Sequence, residues 1–244
     1  VHNVVHALII MDEYLEGVLA LLERDTLRTY PATSMSRSIH EGVLVLCRTF
    51  DSDLSTDQRL VRMAALDVKT RVGALDGFRS FAGPPGEDEL RLREHTDQFI
   101  TYLEGAGFEM SRKQSRPELL TGITWAGFRE DLDKDGTTGA SRTYTPDIHF
   151  NWVIGSAATH SKKWFMHGQE GSTDESVKAL ILPLLDLSRL LMRCLGTYFG
   201  IDVEQAIKTT GLRMRAILLH DAEQTLTSLG VLARANAWDV LNTR

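Results

Sequence analysis

Residues 4–24 read VVHALIIMDEYLEGVLALLER, and the apolar positions Val4, Val5, Leu8, Met11, Leu15, Val18, Leu19 and Leu22 recur at intervals of three and four. That spacing places them on one face and predicts an amphipathic helix from Val4 to Arg24. The pattern repeats along the chain. After Tyr30-Pro31 a second helix is expected from about Ala32 to Phe50, and its run Val43-Leu44-Val45-Leu46-Cys47 marks it as central. Asp51 to Thr56 reads as a polar turn, with Ser55 or Thr56 as N-cap of a third helix through Leu60, Met63, Ala64, Leu66 and Val68. Phe81-Ala-Gly-Pro-Pro-Gly86 is a loop, because two prolines remove donors and fix φ. Glu87 to Leu103 restarts a helix with acids in its first turn, and Gly105-Ala-Gly107 stops it.

Pro117 is placed as the first residue of a short helix through Leu119, Leu120 and Ile123. The stretch 127–145 is the most polar of the chain and is expected to be a loop. Thr145-Pro146-Asp147 then supplies a capping hydroxyl, a proline at N1 and an acid at N2 for a helix to about His167. Long helices follow from Asp174 to Phe199, carrying Pro183, and from about Val203 to Leu229. No segment alternates cleanly enough for a strand. The expected fold is all-α, a multi-helix bundle with residues 1–244 as one domain.

The 244 residues suffice for a full core, and 43% hydrophobic with 25% charged residues is the globular average. The formal charge of −6 provides no summed positive field for nucleic acid or anionic lipid, and no apolar run is long enough to span a bilayer. The expected partner is a small-molecule substrate, with no nucleic acid and no membrane. Cys47 and Cys194 both lie in apolar helical patterns, which suits a reducing, cytoplasmic setting. The sequence begins at Val1 rather than Met, which leaves upstream residues open.

The helix from Pro146 gathers His149, Trp152, Ser156, His160, Trp164 and His167 within a stripe of roughly 120°. Two readings are open: a solvent-facing stripe with partly covered tryptophans, or a pocket wall. Along the axis His149 and His160 are about 16 Å apart, and His160 and His167 about 10 Å, so no two of them share a metal ion. Each would act singly as acid, base or donor. On the second helix Arg37, Glu41, Leu44 and Arg48 share a line, with His40 beside Glu41. Glu41 precedes the most apolar run, so it is the carboxylate expected to be buried, compensated by Arg37. A structural ion pair and a catalytic carboxylate remain equal alternatives, as they do for Asp186 with Arg189. In a buried pair, loss of Arg37 alone would cost on the order of 3–5 kcal/mol.

Asp131-Leu-Asp133-Lys-Asp135-Gly136 opens like a calcium loop, but position twelve is Arg142, where a bidentate acid is required, so it reads as a polar turn. Asp12-Glu13-Tyr14-Leu15-Glu16 lacks the second acidic cluster of a terpene cyclase. No phosphate loop, nucleophile elbow or Cys-x-x-Cys pair occurs. Neither metal nor other cofactor is expected. Arg142 and His149 have the Arg-x6-His spacing of HEPN-type ribonucleases, and Arg213 with His220 repeats it, which shows how cheap the pattern is in an arginine-rich chain.

Ser36-Arg37-Ser38-Ile39-His40-Glu41, Gln58-Arg59-Leu60-Val61-Arg62 and Ser156-Ala-Ala-Thr-His160 follow one another in an order that resembles a poorly characterised actinobacterial all-helical family. Its members carry Arg-x-x-x-Glu, Arg-x-x-Arg and Ser-x-x-x-His helices over roughly the span 30–170 of this chain, and it is similar to abortive-infection and HEPN-like helical proteins. The resemblance implies a helical fold and matches Arg37, Glu41, Arg59, Arg62, Ser156 and His160. Ser161 stands where a glycine is common.

The leading functional expectation is an enzyme acting on a small, largely apolar molecule in an interhelical pocket, by proton transfer, cyclisation or elimination. Glu41 and His160 would be acid and base, Arg37 the ionic partner, and His149, Trp152, Ser156 and Trp164 the substrate-binding wall. The alternatives are a HEPN-like ribonuclease or toxin, whose Arg142 and His149 would meet across a homodimer, and a non-catalytic helical interaction module.

Overall fold

The computed structural model describes residues 2–23, 28–79, 84–132, 137–160 and 173–228. Eight α-helices and one small antiparallel sheet occur among them: α1 (His2–Leu22), α2 (Thr29–Phe50), α3 (Thr56–Arg79), α4 (Glu87–Gly105), β1 (Glu109–Lys113), β2 (Arg116–Trp125), β3 (Phe128–Asp131), α5 (Thr137–Tyr144), α6 (His149–Thr159), α7 (Thr173–Phe199) and α8 (Glu204–Ser228). The fold is thus of the all-α class that the periodicity indicates. None of these helices is long and apolar enough to cross a membrane. The chain forms two compact units, one from Val1–Cys47 with Gly139–Arg244, the other from Arg48–Thr138.

In the first unit, α1 and α2 approach each other through glycines. A β-carbon on Gly42 would meet Met11 Sδ at 2.6 Å, and one on Gly17 would meet Met35 Sδ at 3.0 Å. Val18, Val43, Leu44 and Cys47 are fully buried around this contact. Between α2 and α6 the approach is to a side-chain root, since a β-carbon on Gly155 would lie 2.7 Å from Arg37 Cβ. The two substitutions should therefore behave differently. Gly42→Ala meets only the flexible end of a methionine, which can swing aside. Gly155→Ala meets a rigid Cβ, and α6 must move off α2, for about 1–3 kcal/mol. Urea melts of both variants check this, with Gly155→Ala expected to cost the more.

Pro183 lies inside α7, where it cannot donate to the Ala179 carbonyl. That carbonyl accepts a bond from Asn151 Nδ2 of α6 at 3.3 Å, so the backbone group freed by the proline helps to seat α6 on α7. At the end of α7, Gly200 (φ +66°) turns the chain, and the Ile201 N–H returns to the Gly196 carbonyl at 2.9 Å. α8 then packs back along α7.

The second unit packs α3 and α4 with the sheet. Ser55 caps α3 in a reciprocal box: Gln58 N–H donates to Ser55 Oγ at 3.2 Å, and Ser55 N–H to Gln58 Oε1 at 2.8 Å. α4 stops at the expected glycines in a Schellman motif. Gly107 has φ +96°, its N–H bonds Glu104 O, and Phe108 N–H bonds Leu103 O, both at 3.0 Å. Val61, Ala64, Ala65, Val68, Leu103, Ile123 and Leu132 form the core.

The short helix expected after Pro117 is a strand instead. β2 pairs antiparallel with β1 and with β3, in the order β1-β2-β3. Leu119, Leu120 and Ile123 fit a helical spacing, and Leu119 and Ile123 a strand as well, but Ile123, Thr124 and Trp125 favour a strand, and the next two residues close a hairpin. Ala126 (φ 49°) and Gly127 (φ 81°) form a two-residue turn with both φ positive, pairing Trp125 with Phe128. Phe108 stacks on Trp125 with centroids 4.6 Å apart, and Trp125 Nε1 donates to Asp57 Oδ1 at 3.2 Å. The stretch 127–145, expected as a polar loop, thus holds β3 and α5.

Candidate functional site

Four segments of the first unit build the site: α2 brings Arg37, His40 and Glu41, α5 brings Ser141, Thr145 follows it, and α6 brings His149, Trp152 and Ser156. Thr145 does not cap the turn Pro146–Ile148 that it precedes. Its hydroxyl instead donates to the Ser141 carbonyl at 2.9 Å, as Thr and Ser often do one turn back.

That proton's position orders the rest. Thr145 Oγ1 lies 2.9 Å from His40 Nε2 and 3.2 Å from Ser141 Oγ, and Ser141 Oγ lies 3.0 Å from His149 Nδ1. With the Thr145 proton on the carbonyl, every contact is filled by one arrangement. His40 Nε2–H and Ser141 Oγ–H both donate to Thr145, and His149 Nδ1–H donates to Ser141. Reversing the Ser141 hydroxyl would leave two oxygens facing each other without a proton. In the filled arrangement His149 Nε2 carries a lone pair, and it has no protein partner among the described residues.

His40 is only 3% exposed, and burial, then the nearby Arg37 and His149 charges, push its pKa down to about 4. It is therefore a neutral hydrogen-bonding residue at pH 7. Its place was legible but overlooked: His40 precedes Val43, Leu44 and Cys47 by three, four and seven residues, which is the buried face of α2.

Trp152 sits at the centre, 9% exposed, in a cluster with Leu44 and Ala140, with Tyr144 and Val153 packed against it. The His149 ring stacks on it with centroids 5.9 Å apart and planes at 10°. The Arg37 guanidinium lies 4.4 Å from its ring centroid, donates to its carbonyl at 3.3 Å and to Glu41 Oε1 at 2.5 Å. Its own indole Nε1 is buried without an acceptor.

Burial of the ion pair is the reverse of the expectation. Arg37 is the buried partner, with its side chain 12% exposed, and Glu41 is 37% exposed. The apolar run 43–47 goes round the whole helix, and Glu41 lies opposite the face of Ile39 and Val43, about 160° from each. Loss of Arg37 therefore strands no buried charge, and the 3–5 kcal/mol expected for a buried pair does not apply.

The other sequence-derived residues are more scattered. His160 is an exposed turn residue after the end of α6, its N–H bonded to the half-buried Ser156 carbonyl at 3.1 Å. Trp164 and His167 lie outside the described residues, as do positions three to six of the calcium-like loop, whose Asp131 is bonded by Arg129 Nε at 2.9 Å. Arg142 is exposed on α5. In the second unit Arg59 donates to the Asp51 and Leu54 carbonyls, and Arg62 to the Arg48 carbonyl at 2.7 Å, so both hold backbone at the end of α2. Glu130 is paired there with Arg48. Among the described residues no three His, Cys, Asp or Glu side chains gather as a metal site.

Among the described residues of the first unit, two cavities bear on the site. One, about 230 Å³, is lined by Thr33, Ser36, Asn151, Ile154, Glu175 and Pro183 among others. The second, about 200 Å³, is lined by Tyr144, Thr145, Ile148, Arg189, Leu190 and Arg193, with Asp147 and Asp186. Neither is lined by Glu41, His149, Trp152 or His160. No family model, curated protein or solved structure matches the chain.

Proposed function

We propose that the first unit is an acid–base enzyme that moves a proton on a small, largely apolar molecule, as in an isomerisation or an elimination. The observation that carries this reading is the chain His40–Thr145–Ser141–His149, which fixes one imidazole by its Nδ1 and leaves Nε2 as a lone-pair base. His149 replaces His160 in that role, because its ring is held by Ser141 and by the face of Trp152 while His160 is an exposed turn residue. Nε2 would take a proton from carbon, becoming an imidazolium whose Nδ1–H stays on Ser141, and would return it to a second atom of the same molecule. The Trp152 indole, on which the His149 imidazole stacks, keeps that base at its angle. Arg37, pinned by Glu41, holds that ring in place.

Incubating the protein in D2O with a panel of small ketones and carboxylic acids, and following loss of C–H proton signals by NMR, tests the proposal. Exchange is expected on at least one member, with a loss on the order of 10²-fold in His149→Ala at unchanged melting temperature. Exchange that His149→Ala leaves intact, or a panel without exchange, would count against it.

A further inference from the structure

The 200 Å³ cavity between the α5–α6 junction and α7 presents an arginine with one buried donor unmet. Arg189 and Arg193 stand one turn apart on α7 and both line it. Arg189 Nη1 reaches Asp186 Oδ1 at 3.4 Å, a long contact, and Met214 Sδ at 3.8 Å, while its Nε is buried from solvent with no acceptor. A buried donor without a partner is costly, and a guanidinium has five donors in a fork that matches a carboxylate or phosphate. The two acids of the lining are in a different state. Asp147 is exposed, and Asp186, 39% exposed, already accepts from Arg189 Nη1. The unmet demand in the cavity is for an acceptor.

We propose that this cavity binds the oxyanion group, a carboxylate or phosphate, of a small molecule through Arg189 and Arg193. Tyr144, Pro146, Ile148 and Leu190 line the same space and suit an apolar body on that anionic head. The volume lies below the roughly 300–1,000 Å³ of drug-sized sites, which limits the ligand to a small metabolite. Thr145 belongs both to this lining and to the hydroxyl chain that holds His149, so an anion seated here lies against the machinery that orients the base. The inference thus names a substrate class for the acid–base reading and rests on it for its catalytic meaning, while the binding itself stands alone.

Titration of the full chain with phenylacetate, phenyl phosphate and neutral phenylacetamide, followed by amide NMR, is the test. The two anions separate carboxylate from phosphate as the source of the charge. At least one anion is expected to shift the Thr145, Ile148 and Leu190 amides, with phenylacetamide bound tenfold or more weakly. Arg189→Gln and the exposed Arg193→Gln should each weaken the anion about tenfold, and Arg213→Gln on α8 should not. Equal binding of phenylacetamide, shifts confined to other residues, or affinities unchanged in both cavity variants would overturn the proposal. Anion binding that persists in a His149→Ala protein without proton exchange in any form would remove the enzyme reading alone. Exchange without anion binding would remove this inference alone.

Discussion

Replacing Trp152 with alanine is expected to lower stability by about 3–5 kcal/mol, the largest single loss in the first unit. The indole is nearly buried, fills the space between Leu44, Ala140 and Val153, and provides the surface on which His149 and Arg37 rest. Truncation leaves a cavity and also strips Arg37 of its cation–π contact. Trp152→Phe keeps an aromatic face and loses one ring of the indole with an N–H that has no acceptor, so it should cost less. Denaturant melts of the two variants check the ranking. An alanine variant within about 1 kcal/mol of wild type would mean that the ring is a surface feature.

His40 should make the protein sensitive to acid. Its pKa is about 4 in the folded chain and 6.5 in a solvated histidine, so between those values the unfolded chain binds more protons than the folded one. The stabilisation is present above pH 6.5 and is lost as pH falls through 4. The difference corresponds to about 3 kcal/mol. Because carboxylates also titrate in this range, the measurement is a comparison. The stability advantage of wild type over His40→Gln is expected to shrink by about 3 kcal/mol between pH 7 and pH 4. A difference that stays constant would place His40 in water.

What the sequence revealed follows from how local each signal is. The stops of α4 and α7 and the cap of α3 need only a few neighbouring residues, and Gly107, Gly200 and Ser55 act where their types suggest. The sheet needs a partner strand. In β2, Leu119, Leu120 and Ile123 satisfy a helical spacing and Leu120 breaks the alternation of a strand, and its closing turn places Ala126 at positive φ where Asn or Asp would have announced a hairpin. Half of the site was visible in the same sense. The i, i+4 pair Arg37–Glu41 and the i, i+3 pair His149–Trp152 are helix-surface neighbours and form as spaced. Ser141 and Thr145 were hidden in a stretch that looked merely polar, and Thr145 carries every mark of an N-cap. Only the arrival of His40 from a helix 105 residues earlier turns its hydroxyl to another use. Arg37 and Glu41 show the limit of local reading from the other side, since the pair was evident and the buried member was not.

The central claim is that His40 and His149 are joined by two buried hydroxyls in one proton arrangement. Nitrogen-15 NMR of the His40 imidazole, followed from pH 7 to pH 3, tests it most directly. The account expects a neutral ring with its proton on Nε2, unchanged until about pH 4. A midpoint near 6.5, or a proton on Nδ1 at neutral pH, would contradict it.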